Sequence, residues 1–230
     1  MTTLATDTAG NGPLERPASL KDAAYRQIKG LLISGQLERD HLYSAQHFAD
    51  RLGVSRTPVR EALLQLTSEG FLVCRDVRGF KIKDFSTKEI RDVFETRQLI
   101  ESYTIKRLVE DLVAADLQAM EQSLHTMKAA ASRQDAHGFL ESDKEFHMVP
   151  VRHTGNLHLR AIMDSIRNQM SIFGMTALAH PGRYQEVIRE HEAIVAALRQ
   201  RDKKKAVQAM SQHLATTESR ILERVEETGK

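Results

Sequence analysis

One cysteine, Cys74, in a chain of 230 residues leaves no partner for an internal disulfide. No apolar run comes near the ~20 residues needed to span a bilayer. Residues 1–17 are rich in Thr, Ala and Gly and lack the apolar stretch of a secretory leader, so they read as a disordered tail. The location expected from these absences is the cytoplasm, with no membrane contact. Aromatic residues make up only 5% of the chain, so Leu, Ile, Val, Met and Ala must fill the core. The eight methionines then read as packing side chains, not as a cofactor box. Strand-like runs are few, which leaves helices to build most of the fold.

Net charge is also small, a formal +2, but it is unevenly placed. Residues 18–83 hold 11 Lys and Arg against 7 Asp and Glu, whereas residues 85–230 hold 21 of each. The excess surrounds the most informative stretch of the chain, Leu52 to Leu63. Gly53 there permits a tight turn between two short helices. Ser55 is a suitable N-cap whose hydroxyl is expected to accept from an N–H one turn ahead. Pro58 falls in the first turn, where its missing N–H costs nothing. Val59, Leu63 and Leu66 share one face at helical spacing, with Ala62 beside them. Arg56 and Arg60 lie four apart and point elsewhere, beside the hydroxyls of Ser55 and Thr57. Two readings fit these residues. One is a solvated helix start; the other is a helix N-terminus set for phosphates and base edges in a major groove.

The neighbours favour the second reading. Ser19 with Asp22 caps a helix upstream that ends at Gly35, and Ser44 caps a short one through Arg51. After Gly70, Phe71–Cys74 and Gly79–Lys83 read as two strands of a hairpin bent at Val77, Arg78 and Gly79. Arg75, Arg78, Lys81 and Lys83 make that hairpin basic. The stretch from about Tyr25 to Lys83 closely resembles the winged helix-turn-helix domain of GntR-type transcriptional regulators. The resemblance implies DNA contacts at Ser55, Arg56, Thr57 and Arg60, and a minor-groove approach at Gly79 with Arg78 beside it. Where many relatives have an arginine near the start of the second helix, this chain has Gln46. Glu61 belongs to the motif and is assigned a structural role.

Beyond Asp84 the pattern is helical throughout. Ser86 and Glu89 form a capping box that opens a long helix, with Ile90, Phe94, Arg97, Ile100 and Ile105 along one side. Further helices are expected over Ala115–Ser132, Ala136–Arg152, Asn156–Leu178, Gly182–Arg201 and Asp202–Glu226, an antiparallel bundle. Asp143 and His147 share a helix face one turn apart. That pair is either a surface Asp–His contact or two ligands of one metal. His191 and His213 lie on inward-looking apolar stripes, where a histidine is usually a satisfied core residue. Together the three histidines and the aspartate point to a shared metal. His41, His125 and His180 read as surface residues.

The arrangement resembles the FCD effector-binding domain found behind many GntR-type DNA-binding domains. There an Asp and a His four apart, with two later histidines, hold a divalent metal. Asp143, His147, His191 and His213 match in order and spacing. Arg97 and Asn156 fit family positions near the effector cavity, although the first also suits an internal salt bridge and the second a helix cap. Six helices favour the shorter VanR-like arrangement over the seven-helix FadR-like one.

The fold expected is mainly α: a winged helix-turn-helix over residues 18–84, then an all-helical bundle over 85–230. The function expected is a ligand-responsive repressor. It would act as a homodimer on double-stranded operator DNA, with a small organic acid effector bound at a divalent Zn, Ni, Fe or Mn ion. Two other readings use the same four residues: a metal-dependent enzyme, or a regulator whose ion is purely structural. An enzyme would need an acid or base placed at the metal, and helix geometry turns Glu145 and Glu190 away from the ligands beside them.

Overall fold

The computed structural model of the chain describes residues 19–38, 40–75, 79–178 and 180–228. The tail over residues 1–17 and the candidate DNA contact Arg78 lie outside the described residues.

The first unit runs α1 (Leu20–Ile33), α2 (Ala45–Leu52), α3 (Arg56–Ser68), β1 (Leu72–Cys74) and β2 (Phe80–Ile82). Ser19 Oγ accepts from the Asp22 N–H at 3.1 Å and starts α1; Ser44 Oγ accepts from the His47 N–H at 3.1 Å and starts α2. Gly53 ends α2 in the left-handed region, φ 65°, which sets the direction of α3. Ser55 has the extended backbone of an N-cap, but its hydroxyl makes no capping bond, contrary to expectation. The cause is local. The third helical residue, whose N–H such a hydroxyl commonly takes, is Pro58, which has none. Val59, Ala62, Leu63 and Leu66 are fully buried against Ile28, Phe48 and Phe71.

The two strands pair antiparallel, Leu72 opposite Ile82 and Cys74 opposite Phe80. Tyr43 adds a bridge to the outer edge, exchanging two 2.8 Å backbone hydrogen bonds with Phe80. Gly79, at φ +136°, lies so close to this bridge that a Cβ would fall 2.5 Å from the Tyr43 carbonyl oxygen. The hairpin therefore requires glycine here for its own backbone.

The second unit contains, among the described residues, the six helices expected. They are α4 (Thr87–Glu110), α5 (Ala114–Ser132), α6 (Ala136–His153), α7 (Leu157–Leu178), α8 (Arg183–Arg199) and α9 (Lys203–Thr228). The capping box at Ser86 and Glu89 is complete. Asp135 and Asp202 cap α6 and α9 through their carboxylates, at 2.9 and 3.0 Å. α4 packs along α9 and α6, α5 along α6 and α8, and α8 along α9. Phe94, Ile105, Met120, Phe139, Phe146 and Met210 are among the side chains sealed between them. No helix among the described residues is long and apolar enough to cross a membrane.

The units meet at a short seam. Phe85 packs against both cores. Lys83, just after β2, pairs with Glu89 in the first turn of α4 at 3.3 Å and lies 4.4 Å from the Phe85 ring centre. α1 also touches α7.

Candidate nucleic-acid interface and metal centre

The buried stripe of α3 fixes what its other side presents. Ser55, Arg56, Thr57, Arg60 and Glu61 are all exposed. Among the described residues, the ion pairs of this unit go to Lys81 and Lys83, and none goes to Arg56 or Arg60. Both guanidiniums are thus free to meet an anion. The hairpin is less cationic than its sequence indicates. Lys81 is held by Asp40 at 3.1 Å and Asp84 at 2.8 Å, and Lys83 by Glu89. The Gln46 amide donates to Asp50 at 2.7 Å along its own helix.

In the bundle, α6 supplies Asp143 and His147, α8 supplies His191 and α9 supplies His213. One ligand atom from each lies within 4.8 Å of the others. The imidazoles are at most 3% exposed and Asp143 is 13% exposed, so the histidines are removed from bulk water and the carboxylate stays partly accessible. Each ring is oriented by a partner behind it. The Nδ1–H of His147 donates to Glu101, that of His191 to the Val187 carbonyl at 2.8 Å, and that of His213 to Glu190 at 2.7 Å. Those partners only accept, so each Nδ1 carries a proton and each Nε2 is the atom turned to the centre of the group. The Nε2 atoms of His191 and His147 lie 3.2 and 3.6 Å from Asp143 Oδ1, and both are buried without a hydrogen-bond partner.

The charge states suit a cation. Burial opposes ionisation of Asp143, but the Arg167 guanidinium and His147 outweigh it and hold the carboxyl well below its usual range. Burial, and then the two other imidazoles, hold His213 well below an ordinary histidine, so it stays neutral. An ionised carboxylate and a neutral imidazole are the forms in which Asp143 and His213 would bind a divalent metal. Buried, unpaired nitrogens are costly to leave unsatisfied, and a metal would satisfy them. The four residues therefore fit a divalent ion.

Beside this group lies a cavity of about 40 Å³, lined in part by Asp143, His213, Arg97, Arg167, Arg183 and Thr217. Arg97 lines this cavity, and its Nε donates to Glu101 at 2.7 Å. Arg167 pairs with Asp143. Arg183 donates to Glu190 at 2.9 Å and to the Thr217 hydroxyl at 2.7 Å.

Asn156 does not belong to this site. It is exposed, does not line the cavity, and caps α7 by accepting from the His158 and Leu159 N–H groups at 3.0 and 3.1 Å. A Thr-Gly-Asn run at a helix start suits capping. Glu190 needs the opposite correction. It does turn away from His191 on its own helix, yet it reaches His213 on the next one. His180, expected at the surface, is half-buried and bonded to the Arg220 carbonyl at 3.1 Å. Glu101, Arg167 and Arg183 escaped the sequence reading. For Glu101 a signal existed, since it follows Arg97 by four residues.

Comparison with known proteins assigns both units to known families. Residues 20–82 match the family model described as bacterial regulatory proteins, gntR family, and residues 92–216 match the FCD domain. The HTH-type transcriptional repressor RspR of Escherichia coli is 27% identical, over 74% of this chain and 75% of its own length. The gluconate operon transcriptional repressor of Bacillus subtilis is 24% identical, over 85% of this chain and 82% of its own. The solved structure of E. coli McbR/YncC superposes with a TM-score of 0.74 at 21% identity, covering 89% of this chain and 98% of that one.

Proposed function

Since the chain belongs to the GntR family of bacterial regulatory proteins and carries an FCD domain, we propose that it is a ligand-responsive repressor. In this reading, a small organic acid bound at a divalent metal in the bundle controls its hold on operator DNA. The chain is a DNA-binding transcriptional regulator, not an enzyme. The observation that carries ligand control is the pair of buried, unpartnered Nε2 atoms of His147 and His191 beside an arginine-lined cavity.

On the DNA side, Arg56 and Arg60 with Ser55 and Thr57 face the major groove, and the hairpin at Arg78 and Gly79 follows the minor groove. One recognition helix reads few base pairs, so a homodimer on a two-fold operator supplies the discrimination. Leu99 and Tyr103, one turn apart on α4 and 69% and 51% exposed, offer an apolar patch for a second copy. The expected location is the cytoplasm, where operator DNA is found.

In the bundle, Asp143, His147, His191 and His213 would hold zinc, nickel, iron or manganese, all compatible with imidazole and carboxylate. The ion would supply a Lewis-acidic anchor for a carboxylate. Arg97 and Arg167 supply positive charge beside it. A relative named for a gluconate operon agrees with an acid as effector, gluconate being a sugar acid. The link to DNA runs through the seam. Glu101 and Arg97 lie on α4, the helix that Lys83 and Phe85 tie to the hairpin. A ligand that prefers one tilt of α4 can alter operator affinity by as much as that preference, typically ~1–3 kcal/mol.

The test joins metal analysis to operator mobility shifts at fixed salt, with a panel of organic acids. His191→Ala is expected to lose both the metal and the response to acid while still binding operator. A metal-free variant that responds normally would leave the ion a structural role only.

A further inference from the structure

The inner faces of α4 pack on α9, α6 and α7, and its outer face meets water. At the middle of this 24-residue helix, that outer face carries two large apolar side chains a turn apart. Leu99 is 69% exposed and Tyr103 is 51% exposed. Single apolar residues at a surface need no partner, but adjacent ones form a patch that gains by being covered. Glu95 and Lys106 flank the patch. Both are exposed, and none of the ion pairs among the described residues is formed to either.

Counted outward from Leu99, the exposed residues fall at the same steps in both directions. Four away stand Glu95 and Tyr103, seven away Asp92 and Lys106, and eleven away Lys88 and Glu110. Steps of four, seven and eleven stay on one side of a helix. Within each pair the members are complementary: carboxylate with phenol hydroxyl, carboxylate with ammonium, ammonium with carboxylate. A stripe of this kind is complementary to its own reverse.

A second α4 laid antiparallel, with a two-fold axis at Leu99, brings each member of a pair to the other. Leu99 meets Leu99, and Tyr103 covers it and reaches Glu95 of the second copy. Asp92 meets Lys106 on either side, ~10.5 Å from the axis. A parallel pairing would set each charge against its own like, which costs affinity. The outermost contact is the weakest, because Lys88 already bonds Asp92 at 2.6 Å and Glu110 bonds Lys203 at 3.0 Å. Exposed ion pairs contribute little singly, so the apolar centre holds the contact and the Asp92–Lys106 pairs set direction and register.

Resting on the homodimer reading above, we infer that the outer stripe of α4 is the dimer interface, two copies packing antiparallel about a two-fold axis at Leu99. Such a contact is isologous, the symmetry that a two-fold operator requires.

The experiment follows self-association of the full-length protein without DNA, by sedimentation from nanomolar to micromolar concentration. Wild type is expected to be a dimer at micromolar concentration. Leu99→Asp, Lys106→Glu and Asp92→Lys are each expected to weaken dimerisation about tenfold or more, with helical content by circular dichroism unchanged. Each charge reversal alone sets like against like. Asp92→Lys combined with Lys106→Glu exchanges the two signs and is expected to restore association to within about threefold of wild type. A monomeric wild type would overturn the homodimer reading and this interface with it. A wild-type dimer whose single variants associate equally well would overturn this interface and leave the homodimer to another surface. Weakened single variants with no recovery in the exchanged pair would overturn the antiparallel register. The charge reversals alter only exposed side chains, so they decide the matter even if Leu99→Asp fails to fold.

Discussion

Arg60 on α3 and Arg97 on α4 carry the same charge into opposite surroundings. Arg60 stands exposed, with none of the ion pairs among the described residues formed to it, while Arg97 is 1% exposed and bonded to Glu101. The contrast holds across the two units. A guanidinium in water costs little to keep ready, and it gains when it displaces counterions from a polyanion. A buried guanidinium must be matched within the fold before any ligand arrives. Substitutions on the exposed face of α3 are therefore expected to leave stability intact, whereas breaking a matched charge around the candidate metal centre is expected to cost stability.

The strongest way to break this comparison is to unmatch one buried charge. Glu101→Ala leaves Arg97 without its carboxylate and His147 without its Nδ1 acceptor. Removing one partner of a buried pair typically costs ~3–5 kcal/mol. Urea unfolding should show a loss of that order, larger than for Glu101→Gln, which keeps an acceptor. Stability within ~1 kcal/mol of wild type, well under that cost, would mean that the buried charges are not matched as described. Glu190→Gln is the milder version, because both His213 and Arg183 keep an acceptor while losing a charged one, and Arg183 keeps Glu186 and Thr217. A change in the group behind a metal-binding histidine commonly weakens metal affinity ~10–100-fold. Competition with a chelator would measure it.

On the exposed side, the same logic predicts separation of the two readouts. Arg56→Ala should cost ~1–3 kcal/mol in operator affinity and relax base preference. Its melting temperature should match wild type. A matching loss of stability would show that Arg56 is tied into the fold.

The difference between the units also decided what could be read from sequence. The candidate DNA face is local: Gly53 to Leu66 contains the turn, the packed stripe and the exposed arginines within a few helical turns. Helical spacing alone separates Val59 and Leu63 from Arg56 and Arg60. The candidate metal ligands could be picked out for the same reason, since Asp143 and His147 are one turn apart and His191 and His213 interrupt apolar stripes. Their partners were not. Glu190 meets His213 and Arg167 meets Asp143 only because α8 packs on α9 and α6 on α7. No periodicity within one helix reports which neighbour it packs on. Asn156 shows the converse error: a residue assigned by family position turned out to be doing a local job as a cap.

The smallest effect sharpens the comparison at two serines that look alike in sequence. Ser86 begins α4 with both halves of its capping box, the hydroxyl accepting from Glu89 N–H at 3.2 Å and the Ser86 N–H donating to Glu89 at 2.9 Å. Ser86→Ala removes one of these and should cost ~1 kcal/mol of stability. Ser55 begins α3 with the same extended backbone but no side-chain cap bond, because Pro58 lacks the donor. Ser55→Ala should therefore change stability by no more than ~0.5 kcal/mol, the range of surface substitutions. Its hydroxyl, not needed by the helix, is free for a phosphate or base, so operator affinity should still fall. Paired thermal melts and mobility shifts on the two variants give opposite patterns if this is right. Equal destabilisation by both would return Ser55 to an ordinary cap and leave Arg56, Thr57 and Arg60 as the side chains on that helix start kept for DNA.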